Sequence, residues 1–241
     1  MSSAPVDGIV LDPIAIVRSP FGEKFGIPRQ PGLAPHAVGE VRLLEPYADP
    51  AMLQGLASFS HIWLLFQFHR CVAQGWRPRV RPPRLGGNTE VGVWASRSPF
   101  RPNFLGMSVV RLLEVIPTPA ARLRVAGLDL LDGTPVVDIK PYLPYADAVA
   151  GASAGYAPAA PPVERHVVFR EQAENDLAGV ADPVWLRALI VEVLSLDPRP
   201  AYRHEEPAGR IYGMLLAGCD VRWQVDGETV HVIAVSRRAP A

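Results

Sequence analysis

The sequence predicts a mainly β protein: a small antiparallel β-barrel or curled sheet, followed by a small C-terminal α+β domain. Three observations predict it. Residues 1–145 carry six or seven short apolar stretches with little helical periodicity between them. An Ala-, Gly- and Pro-rich stretch, ADAVAGASAGYAPAAPP (146–162), then reads as a linker. Helical spacing appears only after it, in residues 163–241.

The first strand is Ile14 to Val17 and the second Val38 to Leu44. Ala51 to Ser58 has room for one short helix. Ile62 to Phe68 is a dense apolar and aromatic run, of a length that suits a strand buried on both faces. Val91 to Ala95, Ser108 to Val115, Arg122 to Leu130 and Pro135 to Ile139 complete the set. Leu131-Asp132-Gly133-Thr134 lies between the last two, and Asp-Gly between apolar strands signals a hairpin. Closing such strands into a barrel removes the exposed edges. Beyond the linker, Phe169 to Leu177 and Pro183 to Leu196 read as helices. The second has Asp182 as N-cap, Pro183 at the first helical position, and Trp185, Leu189, Val193 and Leu196 on one face. Val221 to Val225 and Thr229 to Val235 flank Asp226-Gly227, a second hairpin signal.

A hydrophobic fraction of 49% in 241 residues supports a substantial core. No apolar run reaches the roughly 18–20 residues that span a bilayer, and MSSAPVDGIVLDP has no basic, apolar leader pattern. Cys71 and Cys219 have neither the number nor the spacing of a zinc site or a disulfide framework. A cytoplasmic protein with no metal and no membrane partner is therefore expected. The net charge of zero conceals an asymmetry: residues 1–145 hold 15 Lys+Arg against 11 Asp+Glu, residues 146–241 hold 9 against 13. Between Arg70 and Arg101 stand seven arginines and one acid, Glu90, a local excess that points to a polyanionic partner.

Five segments could carry chemistry. Gly75 to Asn88 sets Arg77, Arg79, Arg81 and Arg84 among prolines and glycines, too broken for regular structure. Stiff backbone presenting arginines suits phosphate contact; the alternative is a solvated basic loop. In Ser96 to Gly106, Arg97 and Arg101 bracket a turn, and a capped turn with arginine–carboxylate pairs is as good a reading as a binding role. Leu128 to Tyr142 punctuates apolar strands with Asp129, Asp132, Asp138, Lys140 and Tyr142. Alternation puts Asp138 and Lys140 on one face, either as an ion pair for a buried acid or as part of a polar site for a cofactor hydroxyl or an acceptor proton. Pro28-Arg29-Gln30-Pro31-Gly32 is an extended loop with two polar side chains, and Ser60-His61 and His69-Arg70 stand at the two ends of the aromatic strand. A histidine at a strand end is more often structural than catalytic. Dinucleotide, P-loop, zincin, nucleophile-elbow and zinc-deaminase motifs are all missing from the sequence.

Taken together and in order, PRQPG (28–32), FSHIWLLFQFH (59–69), RPPRLGG (81–87), GVWASRSPFRPN (92–103) and LDLLDGTPVVDIKPYLPY (128–145) resemble the TrmO (YaeB, TsaA-like) family of tRNA methyltransferases. LDPRPAY (196–202) and IYGM (211–214) resemble, more weakly, the C-terminal domain of longer bacterial members, and Phe104 departs from the small residue or proline often found there. The resemblance implies a β-barrel that binds S-adenosylmethionine without a Rossmann glycine loop, a homodimer, and an acceptor, N6 of N6-threonylcarbamoyladenosine, at position 37 in the tRNA anticodon loop. Carried over by position, the cofactor pocket comprises Pro28, Arg29, Gln30, His69, Arg70, Arg97, Leu105 and Asp129-Leu130-Leu131-Asp132. The chemistry of that reaction needs an acceptor for the N6 proton, and Asp138, Asp132 and Tyr142 are the candidates. Arg77, Arg79, Arg81, Arg84 and Arg101 are the candidate tRNA contacts. The domains are expected at 1–145 and 163–241. Two other readings stay open: a non-catalytic RNA-binding barrel, and a methyltransferase for another acceptor.

Overall fold

A computed structural model describes residues 9–162, 165–199 and 209–238. Six antiparallel strands close a barrel in the order β1-β2-β7-β6-β3-β8. They are β1 (Ala15–Arg18), β2 (Gly39–Leu43), β3 (His61–Gln67), β6 (Leu105–Ile116), β7 (Arg122–Ala126) and β8 (Pro135–Pro141). Alternation fills the interior with small and branched side chains: Val17, Val41, Ile62, Leu64, Leu123 and Val136 are fully buried. The mainly β barrel class predicted from the sequence is therefore what the chain adopts.

Four details of the sequence reading of the barrel part are corrected. β3 alternates buried and half-buried residues, so its aromatic run is one-sided: Ile62, Leu64 and Phe66 face the core, Trp63 and Leu65 the outside. Leu131 to Thr134 turns but makes no hairpin, because β7 pairs with β2 and β6 whereas β8 pairs with β1 and β3. A local turn signal fixes backbone shape, not partner choice, and here the Asp132 and Gly133 amides donate across to the carbonyls of Phe21 and Val17. Finally, Val91 to Ala95 is only a two-residue strand, β5 (Val91–Gly92), running into a 3-10 turn; it pairs with β4 (Arg79–Val80) inside the loop expected to be irregular. Ala51 to Ser58 likewise forms two 3-10 turns, Pro50–Leu53 and Leu56–Ser58, rather than one helix.

After a one-turn helix, α1 (Pro144–Asp147), the linker leads to β9 (His166–Phe169), α2 (Glu171–Ala178) and α3 (Pro183–Ser195). Strands β10 (Ile211–Leu216), β11 (Cys219–Asp226) and β12 (Thr229–Arg237) complete a sheet in the order β10-β11-β12-β9. Phe169, read as helical, ends β9 instead. Asp182 caps α3, its carboxylate accepting from the Trp185 amide at 3.0 Å. The buried face of α3 is wider than the one read from spacing, since Leu186, Ile190 and Leu194 are buried beside Leu189 and Val193. The β11–β12 hairpin forms with Asp226 opposite Thr229. In the LDPRPAY segment, Asp197 is buried and accepts from Arg199 at 2.7 and 2.8 Å and from Arg165 at 3.0 Å. Its last three residues, 200–202, lie outside the described ones.

The C-terminal sheet and α3 grip the long β1–β2 connection. Phe21 bridges Leu216, and Leu215 N donates to the Glu23 carboxylate at 2.8 Å. Phe25 stacks on Trp223 at 6.4 Å, Trp185 Nε1 donates to the His36 carbonyl at 2.9 Å, and His36 Nδ1 meets Glu192 at 2.6 Å.

Gly39 sits where β1, β2 and the β7–β8 connection touch. A Cβ there would lie 2.2 Å from the Arg18 carbonyl oxygen and 2.6 Å from Leu128 Cδ1. The first obstacle is paired backbone and cannot turn aside. Gly39→Ala should therefore cost about 1–3 kcal/mol and lower the thermal midpoint by several degrees in a differential scanning measurement. An unchanged midpoint would show that the barrel wall yields at this point.

Candidate active site at one mouth of the barrel

Because the strands alternate in direction, the β1–β2, β3–β6 and β7–β8 connections all leave at one end. These carry PRQPG, the arginine loops and DLLDG respectively, so the topology gathers the candidate segments around one mouth. Backbone hydrogen bonds stitch the first to the third, Gly32 N to Gly127 O at 2.9 Å and Leu128 N to Ala37 O at 3.1 Å, while Phe68 N to Phe104 O at 2.8 Å closes the base of the β3–β6 connection. Lys24, from the first connection, donates to the Arg70 carbonyl at 3.2 Å.

At this mouth Arg97 Nη1 donates to Gln30 Oε1 at 2.5 Å, while Gln30 Nε2 donates to the Arg29 carbonyl. Pro28 is buried beneath them. Asp129 accepts from Ser108 Oγ at 2.7 Å, and its Oδ2 bonds no other described side chain. Burial pushes the Asp129 carboxyl from 3.8 up to about 6, against the Ser108 hydrogen bond, its own backbone amide and the nearby Arg97 charge. His69, at the end of β3, is held below its ordinary value by burial and by the Arg70 and Lys24 charges, so it is a neutral ring at pH 7. Leu105 opens β6 opposite Gln67. Leu130 is core and Leu131 half-buried. Asp132 is an anchor, accepting from Ser19 N at 2.9 Å and Arg18 Nη1 at 3.3 Å.

The other proton-acceptor candidates stand apart. A register shift in the β3–β8 pairing leaves Asp138 on the outer wall opposite Leu65, its side chain 46% exposed and 3.7 Å from Lys140 Nζ. The ion pair expected from alternation is there, but it is a surface pair, not the partner of a buried acid. Tyr142 packs on the same wall against the His61 and Trp63 rings at 6.3 and 6.0 Å.

The arginines divide by task. Arg101 donates to the Ser96 carbonyl at 3.2 Å within its turn, and Arg77 lies 4.6 Å over the Phe100 ring. Arg84 donates to the Ala159 carbonyl at 2.6 Å, tying down the linker. Arg79 and Arg81 are exposed and share Glu90 at 3.6 and 3.2 Å. Sequence reasoning passed over Ser108. Its signal is parity: it shares the inward side of β6 with Val110 and Leu112, where a lone hydroxyl needs a partner. Among the described residues no group of three His, Cys, Asp or Glu is placed to hold a metal, and no helix is long and apolar enough to cross a membrane. A shallow groove of about 260 Å³ near Asp182, Trp185 and Arg237 lies in the C-terminal part, away from these converging polar groups.

Family models for the tRNA-methyltransferase O N-terminal domain and the TrmO C-terminal domain match residues 16–148 and 162–238. The chain is 49% identical over 227 residues to an Escherichia coli tRNA (adenine(37)-N6)-methyltransferase, covering 93% of this chain and 97% of that one. It is 51% identical over 216 residues to a putative S-adenosylmethionine-dependent methyltransferase of Pseudomonas aeruginosa, covering 88% and 91%. A crystal structure of TrmO from P. aeruginosa superposes with a TM-score of 0.80 at 42% identity, over 97% of this chain and 100% of that one.

The raised Asp129 value carries a pH signature. The folded state binds the proton more tightly than the unfolded chain, so the stability this group contributes is present below about pH 4 and lost as pH rises through about 6. Asp129→Asn should remove the loss. In ligand-free protein its thermal midpoint should exceed wild type at pH 7–8, by the equivalent of about 3 kcal/mol, and converge on it as pH falls from 6 to 4. A difference independent of pH over that range would show that the carboxylate is not held in this way.

Proposed function

We infer that this chain, which belongs to the TrmO family, is a tRNA (adenine-37 N6)-methyltransferase, that its donor is S-adenosylmethionine, and that its acceptor is N6 of N6-threonylcarbamoyladenosine beside the anticodon. The carrying observation is the convergence at one barrel mouth of the PRQ loop, Arg97 and the largely buried Asp129, in a chain alike over nearly its whole length to a protein named a tRNA (adenine(37)-N6)-methyltransferase.

The mouth suits the donor. Asp129 offers a carboxylate oxygen unspent on other side chains, which fits a ribose hydroxyl or the field of a sulfonium; Pro28 and Leu105 give apolar walls, and Arg29, Gln30, His69 and Arg70 supply polar edges. S-adenosylmethionine, when bound, supplies the methyl group. The chain's own task is then mostly positioning, because N6 must approach the methyl in line with the departing sulfur. The ureido N6–H must also lose a proton. Asp132 is committed to Ser19 and Arg18, and Tyr142, past the end of β8, stands at the end of the barrel opposite the mouth, so we assign the proton to Asp138, three residues along β8 from the mouth. The reading includes a homodimer in the cytoplasm. Met107 and Leu113, exposed on the outer side of β6, are apolar surface of the kind a second copy would cover.

Purified chain incubated with S-adenosylmethionine and tRNA from cells lacking this gene should yield the methylated nucleoside by mass spectrometry of the digest. Donor binding without that product would mean another acceptor; RNA binding without donor binding would mean a non-catalytic barrel.

Asp138→Asn should lower turnover by about 100- to 10,000-fold with cofactor affinity unchanged, the pattern of a group acting in proton transfer. Turnover within about threefold of wild type, well below that range, would leave Asp138 as a surface partner of Lys140.

Arg79 and Arg81 are the arginines free to exchange Glu90 for phosphate, since an exposed pair is worth at most about 1 kcal/mol. Replacing both by alanine should flatten the slope of log K for tRNA against log salt by about 1.4 to 1.8 units. A slope equal to wild type would remove both from the phosphate track.

A further inference from the structure

Two large aromatic side chains beside the mouth have no structural task. Trp94 is 82% exposed and Trp76 58% exposed, and neither ring stacks on another aromatic among the described residues. Both stand at the barrel-proximal end of the β4–β5 ribbon. Val93 N donates to the Pro78 carbonyl at 3.0 Å, which sets Trp94 two residues past the end of β5 and Trp76 three residues before the start of β4.

The Trp94 backbone is fixed even though its ring is bare. It is the middle residue of the 3-10 turn Val93–Ala95. Ser96 Oγ donates to the Val93 carbonyl at 2.7 Å, and Tyr156 from the linker donates to the Ala95 carbonyl at 3.1 Å. A ring presented on fixed backbone loses little freedom when something lies against it. Its surroundings define what that is. Arg77, Arg79 and Arg81 share the ribbon, and Arg97, three residues on, faces Gln30 in the mouth. Aromatic faces set among phosphate-binding cations match single-stranded nucleic acid, whose bases expose their π faces while its backbone carries the charge.

We propose that Trp94, with Trp76 as a second platform, stacks against unpaired bases of the substrate RNA next to the barrel mouth. The inference rests on the tRNA reading above and adds a selection for loop over stem: a paired helix buries the faces that these rings need, while the arginines bind phosphates of either.

The test compares an anticodon stem-loop RNA with a fully paired duplex of the same length, using full-length chain. Trp94→Ala should weaken stem-loop binding by about five- to a hundredfold, leave duplex binding and the salt slope as in wild type, and leave cofactor affinity and thermal midpoint unchanged. Trp94→Phe should restore most of the stem-loop affinity. Equal loss for stem-loop and duplex, or no loss for either, overturns the stacking. So does a change in sedimentation coefficient on Trp94→Ala, which would make the ring a contact between copies of the chain. Wild-type chain that neither binds nor methylates bulk tRNA overturns the tRNA reading and this inference with it; wild-type methylation with stem-loop affinity untouched by Trp94→Ala overturns this inference alone.

Discussion

Closure of six strands that alternate in direction is the constraint on which the rest of the molecule depends. Once β8 pairs with both β1 and β3, every second connection must emerge on the same side. The barrel interior is filled by side chains and has no room for a ligand, so chemistry is confined to what the connections build above it. The three that meet at one mouth span 20, 37 and 8 residues between strand ends, and they bring the polar groups that converge there, Ser108 of β6 excepted. Asp129 shows the consequence. It belongs to a connection, yet reaches down to Ser108 on a barrel strand, and that partial burial is what lifts its titration toward neutral pH.

Long connections lose much conformational entropy on ordering, and the C-terminal part offsets that loss for the first of them. Residues 19–38 lie between the barrel and the second sheet: Phe21, Glu23, Phe25 and His36 each meet a residue from beyond the linker, while Gly32 and Ala37 are tied to the β7–β8 connection. The buried Asp197–Arg199–Arg165 cluster stiffens the far side. The C-terminal part thus holds the connection that carries the PRQ loop, and none of its described residues contributes a polar group to the mouth.

Strand positions, the α3 cap and the second hairpin were legible in the sequence because they follow from local periodicity and capping chemistry: Asp182 and Asp226-Gly227 act on their immediate neighbours. Asp132-Gly133 misled for the same reason. The turn forms, but strand partners are chosen by barrel closure, which no short window contains. The one-sidedness of β3 was hidden because Trp63 and Leu65, though apolar, line the outside of the wall. The candidate segments were legible through resemblance as a set of motifs; the tasks of single arginines were not, since Arg84's partner is the Ala159 carbonyl 75 residues away and Arg97's is Gln30, 67 residues away.

The electrostatics of the mouth resolve an apparent conflict in the proposed chemistry. A site for a polyanion needs cations, and a site for a sulfonium needs a carboxylate. On a surface exposed to water the two would largely cancel. Here they are separated by depth. Arg79 and Arg81 stand out on the ribbon in solvent, where a phosphate would compete with a weak pair to Glu90, whereas Asp129 lies beneath the rim, where the local dielectric is lower and its charge would act over a short range on whatever fills the mouth. Ionising Asp129 near pH 7 costs the empty protein stability, and a bound cation would return part of it by favouring the carboxylate. On the proposed reading the acid would be more strained without the donor than with it, and donor binding would be coupled to the order of the connection that carries it.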